Sequence, residues 1–405
     1  MTEPMNATHN SPLSPDPQPL ATQGRFATVL QVLPALGAAG GVERGTVEVA
    51  EAIVRAGGRA LIASAGGPLR REAERAGAVH FELPLDSKNP FVIRANIDRL
   101  QALIEKESVD LVHARSRAPA WSAWPAARRT GRHFVTTFHG TYGAVNWIKR
   151  RYNSIMTKGD LVIAISAFIA GHIRQNYGVP ATRIRIVHRG VDLGRFDPKS
   201  VTAERVVTLA NAWRLTDGWP VVMLPGRLTR WKGQTVFLEA IARLGRSDLR
   251  AVLVGGAEGR HNFRAELENQ IARLKLEHVV RLVDHCNDMP AAYMLADVVV
   301  SASIEPEAFG RVVAEAQAMG RPVVATDHGG AKECVLPGTT GWLVAPNDPA
   351  ALAEAIRVAL ALKPDARSAI AARAVDHIRA NFSKQAMCAK TLAVYDEVLN
   401  LPAQP

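Results

Sequence analysis

Cysteine is nearly absent from this 405-residue chain. Cys286, Cys334 and Cys388 lie 48 and 54 residues apart with no CxxC pair, which excludes a disulfide scaffold and gives no thiolate metal site. Aromatic residues make up only 6%, and no window of about 18 apolar residues occurs, so no membrane-spanning helix is expected. There is no GxxxxGK[ST] loop, no GxGxxG with a following acid, and no HxH, HExxH or DxD string. A P-loop nucleotidase, a dinucleotide-dependent dehydrogenase and a side-chain metal centre all lose support. The first 24 residues hold Pro4, Pro12, Pro15, Pro17 and Pro19 but no apolar core of a secretory leader, and read as a disordered tail.

What is present is an ordinary globular balance, 47% apolar and 21% charged, with a lopsided charge. The net charge is +11; residues 1–200 carry 26 Lys and Arg against 16 Asp and Glu, whereas residues 201–405 carry 23 against 22. A basic first half attracts anionic partners and says nothing of fold. Two stretches in that half interleave cations with aromatics: Trp121, Trp124, Arg128, Arg129, Arg132, and then Tyr142, Trp147, Lys149, Arg150, Arg151, Tyr152. Such interleaving suits a membrane interface or nucleic-acid bases. No recognisable nucleic-acid-binding module accompanies it, and the charge favours an anionic surface.

Short apolar runs followed by turns or helices recur at 26–33, 59–63, 109–113, 133–138, 161–165 and 180–187. After a looser stretch through 188–198, a second series opens at 220–224 and continues at 251–254, 279–283, 298–301, 322–325 and 341–344. Buried strands alternating with helices imply two parallel-sheet α/β domains, and residues 350–401 read as Ala-rich helix.

Four segments could carry chemistry. Glu307 and Glu315 stand eight apart where a strand end runs into a helix; the amides around Ala308, Phe309 and Gly310 would face a phosphate, and Glu315 would hold a diol. Arg227 and Lys232, in Gly226-Arg227-Leu228-Thr229-Arg230-Trp231-Lys232-Gly233, follow an apolar strand, at the sheet edge where ligands of α/β folds bind. A cation about 4 Å from a pyrophosphate charge contributes roughly 4 kcal/mol at an effective dielectric near 20. Gly41, in Ala39-Gly40-Gly41-Val42-Glu43, opens a helix after the first strand, and His139 closes the strand 134–138.

In register, these strings resemble the retaining GT-B glycosyltransferases of family 4: Gly40-Gly41-Val42-Glu43, Phe138-His139-Gly140, Ile165-Ser166-Ala167, Gly190-Val191-Asp192 with Phe196, Gly226-Arg227 with Lys232-Gly233, the Glu307 to Glu315 EX7E motif, and Gly329-Gly330 with Glu333. The resemblance implies two Rossmann-like domains facing across a cleft. Residues 25–198 would form the acceptor domain and 199–380 the nucleotide-sugar domain, with 381–405 crossing back as a helix. It implies a hexose, mannose or another, leaving a GDP- or UDP-linked donor with retained configuration, without cofactor or metal. Arg227 and Lys232 would then neutralise the diphosphate and Glu315 hold the ribose. Glu307 and the amides of Ala308, Phe309 and Gly310 would hold sugar and phosphate, His139 would touch the sugar, and the backbone near His285 would read the base. The one departure is His188-Arg189-Gly190, where the family usually carries Asn before Gly.

More narrowly, the chain is similar to bacterial lipopolysaccharide core mannosyltransferases. That implies a cytoplasmic enzyme at the inner membrane face, an anionic glycolipid or glycan acceptor, and no nucleic acid. A sugar-nucleotide epimerase or a silent nucleotide-sugar-binding protein on the same fold are the alternatives. A glycosidase is disfavoured: eight helical residues would part the two carboxylates by about 12 Å, beyond the roughly 5 to 9.5 Å that glycoside hydrolysis needs.

Overall fold

A computed structural model describes residues 21–22, 25–37, 41–143, 146–256, 259 and 261–401. Residues 1–20 and 23–24 of the expected tail, and Ala39 and Gly40 of the first glycine turn, lie outside them. Strands β1 (Ala21–Thr22) and β2 (Arg25–Phe26) pair antiparallel. The remaining strands form two sheets. In chain order they are β3 (Thr28–Val32), β4 (Arg59–Ser64), β5 (Val79–Glu82), β6 (Leu111–Ala114), β7 (His133–Phe138), β8 (Leu161–Ala164) and β9 (Ile184–Ile186), then β10 (Val221–Pro225), β11 (Arg250–Val254), β12 (Val280–Val283), β13 (Val298–Ser301), β14 (Val323–Thr326) and β15 (Gly341–Val344).

The first sheet has seven strands ordered β5-β4-β3-β6-β7-β8-β9, the second six ordered β12-β11-β10-β13-β14-β15. Pairings of β3 with β4 and β6, and of β10 with β11 and β13, are parallel. In both sheets the order reverses beside the first strand of the series, the doubly wound pattern whose ligands lie beyond the carboxyl ends of the strands. Both sheets are Rossmann-like, as the alternating pattern implied.

By compactness the chain divides into residues 1–134 with 388–405, and residues 135–387. In the first unit β3, β4 and β6 are almost wholly buried, and Tyr395, fully buried on the helix Lys384–Leu399, meets His113 Nδ1 at 2.6 Å. In the second unit Val222, Leu224, Val298, Val300 and Val324 of the sheet pack with Phe237, Ile241 and Ile356 of the covering helices. Side-chain caps set several helix starts: Ser166 Oγ accepts the Ile169 amide at 3.1 Å, and Asp348 accepts those of Ala350 and Ala351.

Two elements escape the sequence pattern. Edge strand β5 reads Val-His-Phe-Glu with neither face fully buried, so it lacks the apolar run that marks its neighbours. The helix Ala203–Trp213 lies between the loose stretch 188–198 and the second series, where the sequence pattern places no element. The terminal Ala-rich segment is three helices, Pro349–Leu360, Pro364–Asn381 and Lys384–Leu399.

Candidate active site

The site lies in the second unit, where β10, β13 and β14 end. After β10 the chain makes a short turn, Arg230–Lys232, closed by Gly233 at φ 71°. A Cβ on Gly233 would stand 1.9 Å from the Ala302 carbonyl oxygen, so only glycine lets the turn lie against the exit of β13. The Ile304 amide donates to the Trp231 carbonyl at 2.8 Å and fixes that approach.

This packing delivers Lys232 to Glu307. Lys232 Nζ donates to Glu307 Oε1 at 2.8 Å, with side chains 13% and 10% exposed. Ser303 Oγ donates to the same oxygen at 2.5 Å and Ser301 Oγ at 3.3 Å. Burial pushes the Glu307 carboxyl up, but the Lys232 charge and these three hydrogen bonds outweigh it and hold the group below its ordinary range. Lys232 is therefore half of a buried ion pair rather than a bare cation.

Glu307 is not in a helix. The helix of the EX7E segment starts only at Arg311, with Gly310 at φ 103° as its N-cap. The amides of Ala308, Phe309 and Gly310 thus belong to the loop ahead of the helix. The spacing of about 12 Å assumed for the two carboxylates, which took all eight residues as helical, loses its basis. Glu315 does lie on the helix and is 9% exposed. Its Oε2 accepts from Tyr293 Oη at 3.0 Å and its Oε1 from Arg311 Nη2 at 3.1 Å, so both oxygens are oriented.

The loop 304–310 interlocks with the turn after β14. Cβ atoms on Gly329 and Gly330 would meet the Glu307 and Ala308 carbonyl oxygens at 2.6 and 2.5 Å, and the Gly330 amide donates to the Glu307 carbonyl at 2.7 Å. The Ser303 carbonyl accepts from Thr326 Oγ1 at 2.9 Å and His328 Nε2 at 2.7 Å. Beside Lys232, the buried Thr229 Oγ1 and Gln234 Oε1 make no hydrogen bond among the described residues.

The other expected site residues are distributed as follows. Arg227 is exposed on the loop after β10, its carbonyl accepting from Gln234 Nε2 at 2.9 Å. His285 is exposed just past β12. Phe309 is buried, its ring 5.9 Å from that of Phe382 and 6.4 Å from that of His188. Gly41 is the first residue of the helix Gly41–Arg55 in the first unit.

His139, in the second unit, lies against the residue that departs from the resemblance: Arg189 Nη2 is 2.9 Å from His139 Nδ1. A guanidinium only donates, so Nδ1 is the acceptor and the neutral ring keeps its proton on Nε2. A chain of contacts then runs from neighbouring His188 to the loop 304–310. His188 Nε2 meets Glu333 Oε2 at 2.9 Å, Glu333 accepts the Ala167 and Phe168 amides at 2.8 Å each, and Ser166 Oγ donates to the Ala308 carbonyl at 2.6 Å.

Sequence reasoning gave no role to Ser301, Ser303, Tyr293 and His328, and noted Arg189 only as a departure from the resemblance. Only the serine pair left a signal: polar residues two apart at the end of an apolar strand point to one side.

The two doubly wound sheets, with their charged loops at a carboxyl edge, define a GT-B protein. Residues 219–361 match the model of the group 1 glycosyl transferases and residues 39–195 that of glycosyltransferase family 4. A D-inositol 3-phosphate glycosyltransferase of Salinispora tropica is 30% identical over 333 residues, 75% of this chain and 67% of the relative. A glycosyltransferase of known structure from Rickettsia africae is 40% identical, with TM-score 0.86 over 93% of this chain and 100% of that one. The Anabaena protein HepE, solved in complex with UDP and glucose, shares the fold at 24% identity and TM-score 0.75, over 90% of this chain and 98% of its own. The chain belongs to glycosyltransferase family 4, the group 1 enzymes.

Proposed function

We propose that the protein moves a hexose, mannose or another, from a GDP- or UDP-linked donor to a phosphate-bearing cell-envelope acceptor such as a lipopolysaccharide core glycolipid, with retained configuration and no metal. The observation that carries this reading is the buried Lys232–Glu307 pair held by Ser301 and Ser303 where β10 and β13 end. Lys232 sits where a pyrophosphate would lie against fixed positive charge, with Arg227 on the same loop. In the transfer, the bond from the anomeric carbon to the diphosphate oxygen breaks and the acceptor oxygen bonds that carbon; the acceptor proton goes to the departing diphosphate. Lys232 and Arg227 offset the charge that develops on the leaving group. Glu315, aligned by Tyr293 and Arg311, accepts the two ribose hydroxyls, and the loop amides of Ala308, Phe309 and Gly310 with Glu307 hold the sugar and phosphate. The neutral His139, its Nε2 bearing the proton, donates to a sugar hydroxyl. The backbone near His285 reads the base, and Gly41 borders the acceptor.

The basic first half favours an acceptor with acidic sugars or phosphates at the inner membrane face. The names of the inositol-phosphate relatives favour a second reading, a soluble phosphorylated cyclitol; that acceptor carries the same charge.

A thermal-shift screen against nucleoside-diphosphate sugars is expected to select one nucleotide, and transfer from that donor is expected to survive a chelator. No shift with any donor overturns the reading, and strict metal dependence overturns the metal-free step. Glu315→Ala is expected to weaken nucleotide affinity by about 10-fold or more, the size of lost hydrogen bonds to a charged group. Titration calorimetry checks it, and unchanged affinity removes Glu315 from the ribose.

A further inference from the structure

On the helix Trp147–Asn153 two adjacent large apolar residues face solvent, Trp147 at 74% and Ile148 at 59% exposure. Lys149, Arg150 and Arg151 follow at once and are exposed, and the helix holds no acidic residue. Among the described residues no carboxylate pairs with these three cations. The other basic and aromatic stretch is built differently. Trp121 and Trp124 are half-buried in the helix Arg117–Arg129, and Arg129 is held by Asp98 at 2.8 Å.

An exposed Trp and Ile beside three consecutive cations have the composition of a segment that lies at a bilayer interface. A nucleic-acid groove would use stacking rings and has no use for an exposed isoleucine. A second copy of the chain docked patch to patch would set three cations against three. We propose that the helix Trp147–Asn153 is the surface by which this protein docks on an anionic phospholipid bilayer, Trp147 and Ile148 entering the headgroup region and Lys149, Arg150 and Arg151 pairing with lipid phosphates. The proposal deepens, and rests on, the reading of a membrane-borne acceptor.

The helix is also tied to the His139 loop. Asn153 is 1% exposed and its Nδ2 donates to the Tyr142 and Gly143 carbonyls at 3.3 and 3.4 Å. Tyr142 Oη in turn accepts the His139 amide at 3.2 Å. A docked helix therefore holds the loop that carries His139 close to the lipid surface.

The test is co-sedimentation of the full chain with vesicles of phosphatidylcholine alone or with about one-third phosphatidylglycerol, alongside nucleotide affinity. The wild type is expected to prefer the anionic vesicles. Reversal of all three charges (K149E, R150E, R151E) is expected to lower partitioning about 100-fold or more, each cation near an anionic leaflet contributing about fivefold. Trp147→Ser with Ile148→Ser is expected to lower it at least 10-fold, whereas Arg128→Glu with Arg129→Glu changes it little. All variants should bind nucleotide as the wild type does, which shows that they fold. Equal binding to both vesicles, helix variants that sediment like the wild type, or a wild-type dimer dissociated by Trp147→Ser overturns the proposal. Vesicle binding by a protein that transfers sugar from no donor defeats the enzymatic reading and leaves the docking surface standing.

Discussion

Lys232→Ala is expected to lower sugar-transfer turnover by about 100-fold or more, the loss typical when a fixed donor to developing negative charge is removed. The effect rests on position. Lys232 Nζ is held by Glu307 at 2.8 Å and lies over the Trp231 ring at 4.5 Å, so its place is fixed within the protein itself. Because a Lys232→Ala protein carries an unpaired buried carboxylate, single-turnover rates with saturating donor, on protein shown folded by circular dichroism, separate chemistry from stability. Wild-type turnover in that variant removes Lys232 from the mechanism.

Glu307→Gln is expected to cost about 3 kcal/mol or more of folding stability, because breaking a buried pair strands the partner charge. Denaturant melts at neutral pH check the size, and a stability equal to wild type shows that the pair is not a folding contact. The pH dependence gives an independent signature. The Glu307 carboxyl is held below its ordinary range, so the stability it contributes is complete above the unfolded-chain value, about pH 4.3, and is lost as the pH falls through the lower folded value. The wild type should thus lose stability in acid more steeply than Glu307→Gln, the two curves converging toward low pH. Parallel curves refute the assignment.

Much of this was legible in the residues, for identifiable reasons. Strands buried on both faces are written as unbroken Val, Leu and Ile runs, so β10 and β13 lie within a residue of where the runs place them. Where burial is partial the signal fades, as at β5. The charged members of the site were legible because they sit in motifs at fixed spacing. Their connections were not: nothing in the one-dimensional text says that Lys232 will be neutralised by Glu307, since that contact spans 75 positions and depends on two glycine-lined approaches. The helix boundary at Arg311 was hidden for a related reason, the left-handed Gly310 stopping a pattern that otherwise reads as helical from Glu307 onward. Tyr293, Arg189 and His328 are single polar residues whose work depends wholly on where distant segments bring them.

The interlock between 304–310 and Gly329-Gly330 sets a rule for how this protein tolerates change. Loops at the carboxyl edge of an α/β sheet ordinarily accept insertions and side-chain growth, because they border solvent. Here the turn after β14 is the exception: a single methyl group at either glycine wedges apart backbone that carries Glu307, so a lesion bearing no charge and touching no ligand would misplace the carboxylate as surely as replacing it.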